Sequence, residues 1–174
     1  MRRTATVLSS VLLVLVAQVA TASEPAAVGV PLPAFVLERL DGGELSEADL
    51  AGRPALVVFF DTACPYCKRL APGIERTWQR YGEQGLQVLA ISFREEGNVQ
   101  AWRAENEVSF EIAVNGDAVA DAFGATSTPT WFFVDAEGTV RFRGTSSDPD
   151  DPVFDLVAAD LLGIDPEDCD VALC

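Results

Sequence analysis

Residues 59–72 read FFDTACPYCKRLAP and place two of the chain's four cysteines, Cys64 and Cys67, three positions apart. A Cys-x-x-Cys pair can be half of a zinc site, a short structural bridge, or a dithiol that cycles between reduced and oxidised forms. Zinc needs two further ligands. The chain has no histidine, so they would have to be Cys169 and Cys174 or carboxylates, and that spacing is not the usual one for a zinc ribbon. No metal is expected. A structural bridge would close only a tiny loop and remove little chain entropy. The local sequence favours the dithiol. Cys64 follows a run of apolar residues and opens a helical pattern, with Pro65 near the first helical position, where a missing N–H is harmless. Free backbone N–H groups and the helix dipole there favour a thiolate. Lys68, the only lysine, and Arg69 add positive charge. Cys67 falls on the apolar face. The expectation is an accessible, low-pKa Cys64 that attacks and a buried Cys67 that resolves.

Elements must hold that pair in place. "ALVVFF", 55–60, is a continuous apolar run and reads as a strand covered on both faces. From Cys64 to Tyr81, Cys67, Leu70, Ile74, Trp78 and Tyr81 recur at helical spacing, with Pro72 as an internal kink point. "LQVLAIS" is a second buried strand, "NVQAWRAENE" a helix, "FEIAVN" a strand, and "DAVADAFG" a helix capped by Asp117. "TWFFVD" and the alternating "TVRFRG" form a closing hairpin, and "DPVFDLVAADLLG" a last helix. Upstream, "AFVLERLDGGELS" reads as a hairpin about Asp41-Gly42-Gly43, and "SEADLAG" as a short turn of helix begun by Ser46. Strands alternating with helices predict an α/β fold, a central mixed sheet with helices on both faces.

The bulk properties narrow the setting. The 174 residues, 49% of them apolar, suffice for one cored domain. Met1-Arg2-Arg3, the apolar stretch from Val7 and the small residues Ala20-Thr21-Ala22 have the layout of a secretory signal peptide. The apolar run is short for a membrane span, so cleavage is preferred to a retained anchor. The expected organisation is a signal peptide over 1–22, a domain over 23–163 and an acidic tail over 164–174. After cleavage no stable membrane insertion is expected, and the location is exported, periplasmic or otherwise extracytoplasmic, where disulfides persist. The formal charge of -15 argues against nucleic acid as a partner. Cys169 and Cys174 read either as a local structural disulfide or as a second redox pair.

"ALVVFF", then "CPYC" opening a kinked helix, then "STPTWFFVD", resembles the thioredoxin superfamily over roughly Val28 to Gly163. The N-terminal hairpin and the helix and strand between "LQVLAIS" and Thr128 are similar to the exported TlpA/ResA-like branch. The resemblance implies a thioredoxin-like fold with that hairpin and that central insertion. It implies a cis peptide at Thr128-Pro129 facing the cysteines, and Pro65, Tyr66, Thr128 and Pro129 as supporting residues that meet the substrate. It implies a thiol–disulfide oxidoreductase without cofactor acting on protein thiols, as a reductase recharged by a membrane electron donor. The alternatives are an oxidase of the same fold and a non-catalytic binding module. There are departures. Ala63 stands where the superfamily often has tryptophan, Val58 where thioredoxins bury an aspartate, and Leu70 where the exported branch often has glutamate. Asp61 and Glu75 are then the candidates for a proton carrier to Cys67. Asp61 also stands where a peroxiredoxin needs threonine, which disfavours peroxidase chemistry. Copper chaperones of this kind add a histidine, and the chain has none.

Overall fold

The computed structural model describes residues 26–94 and 98–165. The expected leader, Cys169 and Cys174 lie outside them.

Seven strands form one mixed sheet in the order β2-β1-β5-β4-β3-β6-β7. They are β1 (Val36–Arg39), β2 (Glu44–Ser46), β3 (Ala55–Phe60), β4 (Gln87–Ser92), β5 (Glu111–Val114), β6 (Thr130–Val134) and β7 (Val140–Gly144). The helices are α1 (Pro65–Tyr81), α2 (Val99–Glu105), α3 (Asp117–Phe123) and α4 (Val153–Leu162). β3 pairs in parallel with β4 and antiparallel with β6. The β1–β2 hairpin and the β6–β7 hairpin close the two edges. Every residue of β3 is buried, because helices cover both sheet faces and leave neither for water.

The period-two geometry of β3 divides its side chains between two cores. Leu56, Val58 and Phe60 meet Leu70 and Ile74 of α1, Trp102 of α2 and Phe154 of α4. Ala55, Val57 and Phe59 meet Val119 and Phe123 of α3, with Leu50 from the turn that follows β2. Five phenylalanines, Phe35, Phe59, Phe93, Phe123 and Phe132, interlock in the second core, and the Phe59 and Phe123 centroids lie 5.0 Å apart.

The elements expected from the sequence are present, and α1 carries Pro72 within it. There is one difference in detail. Gly116, not Asp117, caps α3. A Cβ at Gly116 would stand 2.3 Å from Cγ2 of Ile91 and 2.9 Å from the Ser92 carbonyl, so the chain needs glycine at this crossing. Asp117 is instead the first helical residue, and its carboxylate accepts the Arg94 N–H. Among the described residues no helix is long and apolar enough to cross a membrane.

The candidate active site

β3 ends at Phe60, and the next three residues turn the chain into α1. The Asp61 carboxylate makes that turn by accepting the Ala63 N–H at 2.8 Å, while the Asp61 carbonyl accepts the Cys64 N–H at 3.1 Å. Cys64 is the N-cap and Pro65 the first helical residue. Cys64 is half-buried and Cys67 is 3% exposed. Tyr66, between them, is 55% exposed. The motif therefore shows solvent one sulfur and one aromatic ring.

The two thiols are within hydrogen-bond reach of each other but their pKa values move in opposite directions. Burial opposes ionisation of Cys64. A side-chain hydrogen bond with Thr128, the backbone N–H groups of Cys67 and Tyr66, and the Cys67 thiol outweigh it, and its pKa lies below the ordinary thiol value. Cys67 moves the other way. Burial, and then the hydrogen bond and charge of Cys64, push it up to about 12, against hydrogen bonding from the Asp61 backbone and Thr128. Lys68, the cation expected to support Cys64, places its Nζ 3.9 Å from Oε2 of Glu105 on α2.

Thr128 and Pro129 come to the pair from the start of β6. The Thr128-Pro129 peptide is cis, and the Thr128 carbonyl lies 3.5 Å from the Cys64 Sγ. Pro129 is buried. Together with Cys67, Phe60, Ile74, Trp102 and Phe110 it lines a hollow of about 10 Å³ behind the buried sulfur, at the lower limit for one water.

Trp102 is the residue that the sequence reading passed over. It is 4% exposed and packs against Phe60 with centroids 4.3 Å apart and the rings tilted by 34°. Its indole N–H is buried without a hydrogen-bond partner among the described residues. The available signal was the three-residue spacing of Val99 and Trp102, both buried on α2. The two proposed proton carriers are committed elsewhere. Asp61 holds the turn. Glu75 is buried and accepts the Ser109 N–H at 2.8 Å, the Ser109 hydroxyl at 2.6 Å and the Gln79 amide at 2.9 Å.

A larger hollow of about 420 Å³ opens at the far end of the sheet, between Arg39, Trp78, Gln87 and Arg103. It holds neither cysteine. Arg39 is paired with Asp49 and Glu111, and Arg103 with Asp41. The dithiol end is where reactive groups converge.

Known proteins resemble this arrangement. A family model described as the AhpC/TSA family matches residues 28–143. The chain is 33% identical over 108 residues to the thiol-disulfide oxidoreductase ResA of Halalkalibacterium halodurans, covering 61% of each chain. It is 32% identical over 117 residues to the ResA of Geobacillus thermodenitrificans, covering 66% of this chain and 67% of that one. The matched region thus spans somewhat under two thirds of the first relative's length. The crystal structure of a thiol:disulfide interchange protein of the thioredoxin family from Chlorobium tepidum superposes with a TM-score of 0.67 at 27% identity, over 79% of this chain and 99% of that one. The expected thioredoxin-like fold is the one present.

Proposed function

The chain belongs to the AhpC/TSA family, and from that premise we propose that it is an exported thiol–disulfide oxidoreductase working through Cys64 and Cys67. The observation that carries the reading is the placement of Cys64 at the N-terminus of α1 beside a buried Cys67, which lowers the pKa of the first and raises that of the second to about 12. A nucleophile must be a thiolate, and a resolving thiol should stay protonated until a mixed disulfide has formed. The names of the matched relatives point to the same chemistry.

In the reductive direction the Cys64 thiolate attacks one sulfur of a partner disulfide. The S–S bond breaks, and the partner's other sulfur leaves as a thiolate. Cys67 then gives its proton to that thiolate, attacks the Cys64 sulfur and expels the second partner sulfur. The partner disulfide gains two electrons, and Cys64 and Cys67 are left as a disulfide. A membrane dithiol donor returns the electrons. Pro65 opens the helix, Tyr66 presents an exposed aromatic face, and Thr128 and Pro129 border the attacking sulfur where an extended partner segment can lie. Export rests on the leader over 1–22. The proposed domain runs over 23–163, followed by the acidic tail over 164–174 with Cys169 and Cys174.

The reduced protein should reduce a disulfide-bonded peptide. Cys67→Ala should accumulate a mixed disulfide through Cys64, and Cys64→Ala should accumulate none. Absence of reduction by the wild type would sink the reading. Direction is read separately, by trapping free thiols in intact cells before lysis. A largely reduced pair identifies a reductase, a fully oxidised pair an oxidase.

A further inference from the structure

The arginines of this acid-rich chain fall into two groups. Arg39, Arg76, Arg80, Arg103 and Arg141 each pair with a carboxylate, and Lys68 does too. Arg53, Arg69, Arg94 and Arg143 form no ion pair among the described residues, although the sequence has 27 acidic residues against 12 basic ones. All four are exposed. Arg53 lies before β3, at the end of the sheet away from Cys64. The other three stand at the dithiol end.

Each of these three is held by neutral groups. Arg69 lies over the Tyr66 ring at 5.2 Å and donates to the Ser147 hydroxyl at 2.9 Å. Arg94 lies over Phe93 at 5.0 Å and donates to the Thr126 carbonyl at 3.2 Å, two residues before Thr128. Its backbone is in the left-handed region, φ 58°, an unfavourable place for a side chain, and the Asp117 carboxylate holds its N–H there. Arg143 lies over Phe132 at 5.3 Å and donates to the Gly124 carbonyl. Among the described residues, three carboxylates of this end face other groups: Asp61 the Ala63 N–H, Glu105 Lys68, and Asp117 the Arg94 backbone. A guanidinium has five donors in a planar fork, so each arginine keeps donors for a further acceptor.

We propose that this edge docks a partner polypeptide whose cysteine is flanked by carboxylates, with Arg69 reading one flank from the α1 side and Arg94 the other from beside Thr126. The inference rests on the reading of Cys64 and Cys67 as a dithiol that exchanges with protein partners. The net charge of -15 repels an acidic segment at long range. At about 0.1 M salt, however, the Debye length is about 10 Å, so the local guanidiniums decide the encounter. A bidentate Arg–carboxylate pair then adds register to attraction.

The test uses the reduced full chain and two peptides of equal length, each with one internal disulfide, flanked by glutamates in one and lysines in the other. Bis(2-hydroxyethyl) disulfide serves as a neutral reference. At about 0.1 M salt the acidic peptide should be reduced about tenfold faster than the basic one. That ratio should shrink at about 0.5 M salt and in the Arg69→Gln/Arg94→Gln double variant, and should persist in Arg53→Gln. Equal rates, a preference for the basic peptide, or a preference untouched by the double variant overturns the proposal while the dithiol reading stands. Failure to reduce all three disulfides overturns both.

Discussion

The Sγ of Cys64 lies 3.5 Å from the carbonyl oxygen of Thr128, a residue 64 positions further along the chain. The contact exists because β6 runs antiparallel beside β3, with Phe59 opposite Thr130. The start of β6 thus meets the end of β3, where α1 begins. Sulfur, helix N-terminus and the start of β6 converge at one end of the sheet, where, against burial, hydrogen bonds from the Thr128 side chain and the α1 backbone lower Cys64 while burial raises Cys67.

Alkylation should read this difference directly. In the reduced protein at neutral pH, brief treatment should label Cys64 alone. Its rate should follow a titration with a midpoint below the 9.0 of an ordinary thiol. Cys67 should stay silent until the pH nears about 12. Peptide mapping of the labelled protein checks the order, and preferential labelling of Cys67 would reverse the roles.

The same shifts set a pH dependence of stability with a definite sign. Cys64, lowered in the fold, contributes stability that is present above the unfolded value and is lost as pH falls through its folded pKa. Cys67, raised in the fold, contributes stability that is present below about 9 and is lost as pH rises toward about 12. The stability difference between the reduced wild type and Cys64→Ser/Cys67→Ser should therefore peak near pH 9. Denaturant midpoints across pH measure it, and a minimum there would contradict the assignment.

Trp102 walls off the buried sulfur. Trp102→Ala should destabilise by about 3–5 kcal/mol through the cavity it leaves, and should also open Cys67 to alkylation under native conditions. Trp102→Phe keeps an aromatic ring over Phe60 and removes an unpaired buried N–H, so its loss should be smaller. If Cys67 stays unlabelled in folded Trp102→Ala, the wall is made by other residues.

Gly73 opposes two effects. Alanine would favour the helix by about 1 kcal/mol. Its Cβ, however, would lie 2.4 Å from the Pro149 carbonyl oxygen and 2.8 Å from the Pro149 Cα. Backbone yields less readily than a side chain, and overpacking costs about 1–3 kcal/mol. Gly73→Ala should therefore lose about 1–2 kcal/mol, and the Arg76 contacts with Pro149 and Asp150 should weaken with it. A thermal midpoint above that of the wild type would show that this loop moves freely.

Glu75 tests structure against proton transfer. Glu75→Gln places an amide N–H₂ against a Ser109 donor and should destabilise by about 1–3 kcal/mol. The pH profile of Cys67 alkylation should not move, because the carboxylate faces Ser109 and Gln79. A displaced profile would make Glu75 the proton carrier after all.

Much of this was legible in the sequence because it is local. An apolar run covered on both faces, a helix opened by Cys64-Pro65, a glycine-bearing hairpin turn and an alternating edge strand are set by residues within a few positions of one another. Which carboxylates and cations meet was not legible. Spacing along α1 places Lys68 near Cys64 and Glu75 on the side of Cys67, but it says nothing of what packs beside them. Only the tertiary structure turned Lys68 to Glu105, bound Glu75 to Ser109, set Trp102 behind Cys67 and left the Arg69 and Arg94 guanidiniums without an ion pair among the described residues. The physical reason is range. Hydrophobic periodicity and turn chemistry act within one element, whereas ion pairs, burial and pKa depend on distances between elements that the assembled sheet and its helices alone define.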